Sequence, residues 1–165
     1  MSGKTPVRAV ILMGSANDQD QLKPCGQVFK DFGISYEARV LSAHRTPHET
    51  VKYIAEAESR GAEVVIAAAG GAAHLAGVCA AHTLLPVIGI PIESKSLNGL
   101  DSLLSTVQMP PGIPVATVAI GAMGAKNAAY LAIRMMAVKD KALAAKLDAF
   151  REKMRLDILD SKIDV

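Results

Sequence analysis

The feature that most constrains how this chain can fold is a strand, turn and helix unit that recurs along it. Apolar runs of strand length end in loops rich in glycine, serine or histidine, and segments with apolar residues at helical spacing follow. The predicted strands are Val7–Met13, Ser35–Leu41, Val64–Ala69, Pro86–Ile90 and Val115–Ile120. Apolar strands that alternate with helices are typical of a parallel sheet covered on both faces, so we expect a doubly wound α/β domain whose strands are all buried.

Five strands in such a domain favour the flavodoxin-like order 2-1-3-4-5, with the parallel sheet in the middle of a three-layer α/β/α sandwich. In this arrangement ligands bind beyond the carboxyl ends of the strands, near the switch between strands 1 and 3. The loops after strands 1, 2 and 3 are therefore the candidate site.

Chain length predicts the domain organisation. With 165 residues, the chain is expected to form a single domain over 1–165, with its α/β core at about 7–138. A charged segment at about 139–162 has the apolar spacing of an amphipathic helix, and its apolar face either folds back on its own domain or docks on a neighbouring subunit. That face comprises Leu143, Leu147, Phe150, Met154 and Ile158.

Composition argues against nucleic-acid and membrane functions. The chain has 18 Lys and Arg against 16 Asp and Glu, no Trp, three Phe and three Tyr, which is a poor basis for nucleic-acid binding. Residues 64–92 contain no charged side chain, but glycines and prolines interrupt them, so two buried strands and a helix are expected rather than a membrane span.

The location and the metal content are predicted from equally simple patterns. Residues 1–6 lack the apolar core of a signal peptide, and Cys25 and Cys79 have no pairing or metal-ligand spacing. We therefore expect a cytoplasmic protein with two buried, reduced thiols. No two histidines or acids show ligand spacing on one helix, so a metal site is not expected.

The loop after strand 1 has the residues of an anion site. Gly14 and Ser15 precede a predicted helix that starts near Asp18, where free backbone N–H groups and the helix dipole favour a phosphate. The alternative is that Ser15 or Asn17 only caps the helix and that Asp18 complements its dipole. The dinucleotide and triphosphate glycine motifs are absent, so a mononucleotide-sized ligand fits better.

The loop after strand 2 contains Ser42, His44 and Arg45. The planar fork of an arginine can bind a phosphate, and a histidine titrates near working pH and can therefore transfer protons. Taken alone, a histidine such as His44 is more often a loop residue that bonds to the backbone than a catalytic one. Strand 2 neighbours strand 1 in the predicted order, however, which would bring both side chains to the same crevice.

The loop after strand 3 is built from small residues. Paired glycines let a ligand approach the backbone, and the following helix offers N–H groups to a carboxylate. A tight turn between strand and helix explains the glycines as well, and His74 is alternatively an interior histidine with its hydrogen bonds satisfied. The loop comprises Gly70, Gly71, Ala72, Ala73, His74 and Leu75.

These motifs together resemble the PurE family, the N5-carboxyaminoimidazole ribonucleotide mutases of purine synthesis. The resemblance covers about Val7 to Val138. It includes Met13–Ser15 with Asp18, Ser42–Pro47, Gly70–Leu75, Asp101–Ser105 with Val107–Pro110, and Pro114–Thr117 with Ala119–Gly121.

The resemblance implies a flavodoxin-like homo-octamer that needs no cofactor and moves a carboxylate from the exocyclic nitrogen of a ribonucleotide to ring carbon C4. It implies that Ser15 and Arg45 hold the phosphate and that Asp18 holds the ribose hydroxyls. His44 would be the acid/base. The Gly70–Ala73 turn would cradle the carboxylate or carbon dioxide, with His74 and Leu75 beside it, and Gly14 and Ser42 would complete the substrate site.

The chain departs from the family pattern at four positions: Asn17, Ala68, Ala76 and Glu93. Glu93 matters most, since a carboxylate near an anionic substrate would repel it. Three alternatives stay open. They are an aminoimidazole ribonucleotide carboxylase that uses carbon dioxide directly, a non-catalytic nucleotide- or flavin-binding module, and a purely structural assembly protein.

Overall fold

A computed structural model of the chain describes residues 6–163. Its five strands form one parallel sheet in the order β2-β1-β3-β4-β5, which confirms the predicted class and strand order. The strands are β1 (Ala9–Met13), β2 (Tyr36–Val40), β3 (Val64–Gly70), β4 (Val87–Ile92) and β5 (Ala116–Thr117). Residues 1–5, which carry most of the segment predicted to lack a signal-peptide core, lie outside the described residues.

Six α-helices are present in the described part of the chain. They are α1 (Gln19–Phe32), α2 (Pro47–Ser59), α3 (Leu75–Ala81), α4 (Leu100–Val107), α5 (Gly121–Ala137) and α6 (Lys141–Leu159). A short 3₁₀ turn at Ala16–Asp18 precedes α1. The backbone forms two compact units with the boundary between Ala132 and Ile133, and the expected single domain stays a prediction.

The core of the first unit follows from strand periodicity, since successive side chains of a strand point to opposite faces. Val10 and Leu12 of β1 lie in a buried cluster with Ile54 of α2 and Cys79 of α3. On the other face, Ile11 and Met13 lie beside α1. Helices therefore cover both faces of the central strands.

Cys25 of α1 and Cys79 of α3 are free and buried, as predicted. Burial disfavours the thiolate and raises the pKa of each thiol to about 12. Both therefore stay protonated at neutral pH and act as small apolar side chains.

The expectation that every strand is buried on both faces is wrong at the two sheet edges. Strand β2 is half-buried to exposed along its length, with Val40 52% exposed. Its Glu37 forms ion pairs with Arg39 and Arg60, with both N–O distances 2.6 Å. Charged side chains of this kind are common on edge strands, where they discourage pairing with another chain.

Strand β5 is shorter than the predicted Val115–Ile120 and is half-buried. In the segment after β5, Gly124 of α5 lies against the Ala119 carbonyl. A Cβ atom at Gly124 would come within 1.6 Å of that oxygen. A residue larger than glycine would not fit at this position without a shift of the backbone.

The predicted amphipathic helix is α6, in which the Asp140 side chain accepts a hydrogen bond from the Leu143 N–H at 3.1 Å. Leu143 and Leu147 are buried, whereas Met154 and Ile158 are 42% and 75% exposed. The apolar face is thus buried only along its first half.

Residues 64–92 fold as β3, α3 and β4, as the interrupted apolar pattern predicts. Over residues 6–163, we find no helix with the length and apolar character that a membrane span requires.

Candidate active site

A cavity of about 480 Å³ lies at the carboxyl ends of β1, β2 and β3, where the strand order predicts ligand binding. The loops after these three strands all contribute to its wall, as expected. Its lining residues are Gly14, Ser15, Asn17, Asp18, Ser42, Ala43, His44, Arg45, Ala69, Gly70 and Leu75.

The loop after β1 contributes Ser15 and Asp18. The Ser15 hydroxyl accepts a hydrogen bond from the Asn17 N–H at 3.2 Å, so Ser15 caps the 3₁₀ turn. Asp18 makes no side-chain capping bond to α1 and is half-buried at the cavity. Burial raises the pKa of its carboxyl group, and a hydrogen bond from the Ser15 backbone opposes that shift. Burial removes part of the water around this carboxylate, so it is a stronger hydrogen-bond acceptor for a ligand hydroxyl.

The loop after β2 is closed by hydrogen bonds between its ends. The Ser42 N–H donates to the Thr46 hydroxyl at 2.8 Å, and the Arg45 N–H donates to the Ser42 hydroxyl at 3.2 Å. The Arg45 guanidinium donates from Nη2 to the Gly14 carbonyl at 2.6 Å, which joins this loop to the loop after β1. Because this acceptor is a neutral carbonyl, it does not neutralise the positive charge that Arg45 brings to the cavity.

Two histidines from different loops meet at this end of the sheet. The Nε2 atom of His44 lies 2.8 Å from the Nδ1 atom of His74, and the two rings are nearly perpendicular at 88°. One ring donates an N–H and the other accepts it, so one of these two nitrogens carries no proton. Both residues are exposed. The interpretation of His74 as an interior histidine is therefore wrong.

The loop after β3 reaches the cavity through Gly70 and Leu75. Gly71 has φ +65°, a conformation that side chains other than glycine rarely adopt. Its N–H donates to the Ser102 hydroxyl at 2.9 Å, and the Ala73 N–H donates to the Ser105 hydroxyl at 3.0 Å. These two N–H groups are therefore engaged within the protein, and the expectation that this turn cradles a carboxylate or carbon dioxide stays a prediction.

Ser102 and Ser105 of α4 are functional candidates that residue-by-residue sequence reasoning missed. The available signal was a pair of hydroxyls three residues apart, and so on one face of a helix, inside the motif Asp101–Ser105. Only the fold places this helix against the glycine loop.

The four departures from the family pattern fall at different places. Asn17 lines the cavity. Ala68 and Ala76 are buried, at 0% and 2% exposure, where small side chains fit. Glu93 is exposed and is not among the lining residues. Among residues 6–163, no three His, Cys, Asp or Glu side chains cluster as metal ligands would.

A family model described as AIR carboxylase matches residues 8–157. The chain belongs to the AIR carboxylase family. Every cavity-lining residue lies within this match.

Several curated proteins and solved structures are similar to this AIR carboxylase family member. A protein of Saccharolobus solfataricus named N5-carboxyaminoimidazole ribonucleotide mutase is 59% identical over 95% of this chain and 98% of its own length. The Bacillus subtilis protein of the same name is 50% identical over 92% and 93%. The crystal structure of Treponema denticola PurE is 31% identical, covers 92% of this chain and 94% of that one, and has a TM-score of 0.84. The PurE resemblance and the flavodoxin-like fold are thereby confirmed.

Proposed function

We propose that this chain is an N5-carboxyaminoimidazole ribonucleotide mutase of purine biosynthesis, an isomerase. The curated relatives at 50–59% identity carry that name over nearly their whole length, which supports this activity. The observation that carries the proposal is the cavity itself, because it brings Arg45 together with His44, whose ring lies 2.8 Å from His74.

The ribonucleotide phosphate would bind between Ser15 and Arg45. Arg45 supports this role because its charge is held beside the Gly14 backbone rather than by a carboxylate, at an N–O distance of 2.6 Å. Asp18 would accept hydrogen bonds from the ribose hydroxyls, which its half-buried carboxylate favours. Gly14 and Ser42 complete this side of the cavity, the first through its carbonyl and the second by holding the Arg45 backbone.

The chemistry needs few groups because a carbamate loses carbon dioxide readily and C4 of an aminoimidazole is electron-rich. The bond between the exocyclic nitrogen and the carboxylate breaks, and the nitrogen takes a proton as carbon dioxide leaves. C4 then attacks carbon dioxide, and the new carbon–carbon bond forms as C4 loses its proton. One proton is gained and one is lost, so a single histidine can relay it.

His44 would be that acid/base, and His74 would support it from 2.8 Å. An imidazole that exchanges a proton with a neighbouring ring can act first as an acid and then as a base without waiting for solvent. Neither reaction step calls for an oxidant, an electron sink or ATP, so we propose that no cofactor takes part.

The Gly70–Leu75 loop would retain the released carbon dioxide. Gly70 and the buried Leu75 line the cavity and carry no group that would bind water strongly. Keeping water out of such a site favours recarboxylation over escape. Gly71, Ala72 and Ala73 would shape this loop.

We also propose that the enzyme is cytoplasmic and forms a homo-octamer. Apolar side chains on α4 support association, since Leu100, Leu104 and Val107 are 52%, 50% and 45% exposed. Exposed apolar side chains on one helix are typical of a surface that a neighbouring subunit covers.

A second candidate, aminoimidazole ribonucleotide carboxylation with free carbon dioxide, is favoured by the name of the family model. The test supplies the purified protein with N5-carboxyaminoimidazole ribonucleotide, without ATP, metal or bicarbonate. Parallel reactions contain aminoimidazole ribonucleotide and bicarbonate. Absorbance of 4-carboxyaminoimidazole ribonucleotide in the first reaction alone supports the mutase.

Product mainly in the second reaction would move the assignment to the carboxylase. No product in either would contradict both activities. In that case a rise in melting temperature with a ribonucleotide would support a binding module, and a yellow preparation would support flavin as its ligand. A colourless protein that no phosphate-bearing ligand stabilises would leave a structural role.

A further inference from the structure

The helix α4 reaches the glycine loop through two serine hydroxyls that the roles above do not use. Ser102 is fully buried and accepts from the Gly71 N–H at 2.9 Å. Ser105 lies one turn further along and accepts from the Ala73 N–H at 3.0 Å. The two serines thus bind Gly71 and Ala73, which are separated by one residue of the same loop.

Each hydroxyl has a defined second partner that orients it. Ser102 donates to the Ile92 carbonyl at the end of β4 at 2.7 Å. Ser105 donates its single proton to the Asp101 carbonyl of its own helix, the shortest of its acceptor contacts at 2.8 Å. Because each hydroxyl proton is donated to a carbonyl, a lone pair of each serine oxygen faces the loop N–H. Neither hydroxyl can rotate without losing a hydrogen bond.

The start of α4 is itself held in place. The Ser94 hydroxyl donates to the Asp101 carboxylate at 2.8 Å, which ties the first turn of the helix to the segment after β4. The helix is therefore a fixed support. Because Ala73 is only 2% exposed, its N–H has no water to replace the Ser105 hydroxyl if that hydroxyl is removed.

We propose that Ser102 and Ser105 are positioning residues that hold the Gly70–Leu75 loop closed over carbon dioxide between the two steps of the reaction. This inference rests on the proposed mutase function. Ala73 directly precedes His74, whose Nδ1 lies 2.8 Å from the His44 ring, so the Ser105 hydroxyl also helps to set that distance. Neither serine lines the cavity, so both act through the loop.

Loosening this loop would change which product is formed from the substrate. Decarboxylation yields aminoimidazole ribonucleotide and carbon dioxide, and only recapture at C4 completes the reaction. A loosened loop lets carbon dioxide escape and leaves aminoimidazole ribonucleotide as a product. Because the carbamate also decarboxylates without enzyme, the aminoimidazole ribonucleotide formed in an enzyme-free control is subtracted before the ratio is taken. A variant that merely lowers the amount of folded enzyme then reduces both enzymatic products equally and leaves their ratio unchanged.

The experiment compares Ser102→Ala and Ser105→Ala with the unaltered chain on N5-carboxyaminoimidazole ribonucleotide, and quantifies both products. We expect the share of aminoimidazole ribonucleotide to rise at least ~5-fold and kcat to fall about tenfold, with KM within ~3-fold. KM is spared because the phosphate and ribose contacts belong to the loops after β1 and β2.

The matched control is Thr106→Val on the same helix. Thr106 is equally buried, and its hydroxyl donates only to the Ser102 carbonyl, within the helix, at 2.7 Å. It should leave the product ratio unchanged. Ser105→Thr keeps the hydroxyl at a half-buried position and should restore the ratio of the unaltered chain.

An unchanged ratio in both alanine variants, whatever their rates, would overturn the proposal, as would the same shift in Thr106→Val. If Ser102→Ala fails to fold, the ratio in Ser105→Ala decides alone. An inactive unaltered chain would instead contradict the proposed function, so the two failures are distinct.

Discussion

Two cavities lie at opposite ends of the same sheet, and the larger one is not the candidate site. The cavity at the amino ends of β1 and β2 measures about 660 Å³, against about 480 Å³ at the carboxyl ends. In the larger cavity Glu37 forms ion pairs with Arg39 and Arg60, so charge is compensated within the wall. In the smaller one Arg45 donates to a neutral carbonyl, and the lining residue His44 lies 2.8 Å from the His74 ring.

The difference shows that strand direction, more than cavity size, places the chemistry. All strands run parallel, so the loops that follow them, and the first turns of the next helices, gather at the carboxyl edge. At that edge the positive charge of Arg45 faces a neutral carbonyl rather than a carboxylate, so it can bind a ligand anion. Comparing variants of the two cavities therefore tests the assignment of the site directly.

The largest expected effect comes from His44→Asn. Asparagine keeps a polar side chain of similar reach but cannot relay a proton, so kcat should fall by about three orders of magnitude or more while substrate still binds. Steady-state kinetics and a substrate-binding titration measure the two quantities. A kcat within about tenfold of the unaltered chain would remove His44 from the acid/base role.

Next in size is Arg45→Lys, which replaces a planar two-pronged donor by a point charge. We expect KM to rise about tenfold or more with a smaller change in kcat. Arg39→Lys is the control from the amino-end cavity, where the arginine faces Glu37 and is 59% exposed. Equal effects of the two substitutions on KM would mean that the carboxyl-end cavity is not the specific site of phosphate binding.

A smaller effect is expected from Gly71→Ala. Its φ of +65° is strained for alanine, and no atom lies within 4 Å of the added Cβ, so the stability cost is about 1 kcal/mol of backbone strain alone. Gly112→Ala makes the matched control, since Gly112 has φ +95° and equally open space. Thermal denaturation should show a loss for both, at least as large for Gly112→Ala because φ +95° lies further from the left-handed region that alanine can adopt, whereas kcat should fall only for Gly71→Ala. A fall in both would mean that kcat reports stability rather than the loop.

Sequence reasoning predicted the parallel sheet and its order because β1, β3 and β4 are apolar throughout and therefore fit only a doubly covered position. It failed at β2, where the alternating charges of Glu37 and Arg39 indicate an edge strand rather than a buried one. It overestimated β5 because Val118 to Ile120 continue the apolar pattern of the strand, and where the chain leaves the sheet depends on the folded backbone.

The candidate site was predictable where residues belong to one loop and unpredictable where two elements meet. Ser15, His44 and Arg45 stand directly after strands and were found from position alone. The bonds from Ser102 and Ser105 to the glycine loop span 31 and 32 residues, and no local pattern indicates them. The 2.8 Å approach of His44 to His74 likewise depends on β1 lying between β2 and β3.

The smallest expected effect is on stability, because burial makes the charged form of Asp18 unfavourable in the folded chain. Burial raises the pKa of Asp18 in the folded chain above its ordinary value of 3.8. The folded state therefore binds this proton more tightly than the unfolded state, and stability falls as pH rises through the interval between the two pKa values. At pH 7 the charged Asp18 destabilises the fold slightly, so Asp18→Asn should raise Tm slightly there and lose that gain below about pH 3, while KM for the ribonucleotide rises.

Asp20→Asn is the matched control two residues further along, on the exposed side of the first turn of α1. A hydrogen bond and charge attraction from Lys23 lower the pKa of Asp20, so its charge stabilises the fold above pH 3.8. Its removal should lower Tm slightly at pH 7 and leave KM unchanged. Melting curves from pH 3 to 7 check the opposite signs, and a lowered Tm for Asp18→Asn at pH 7 would mean that its carboxylate serves the fold rather than the ligand.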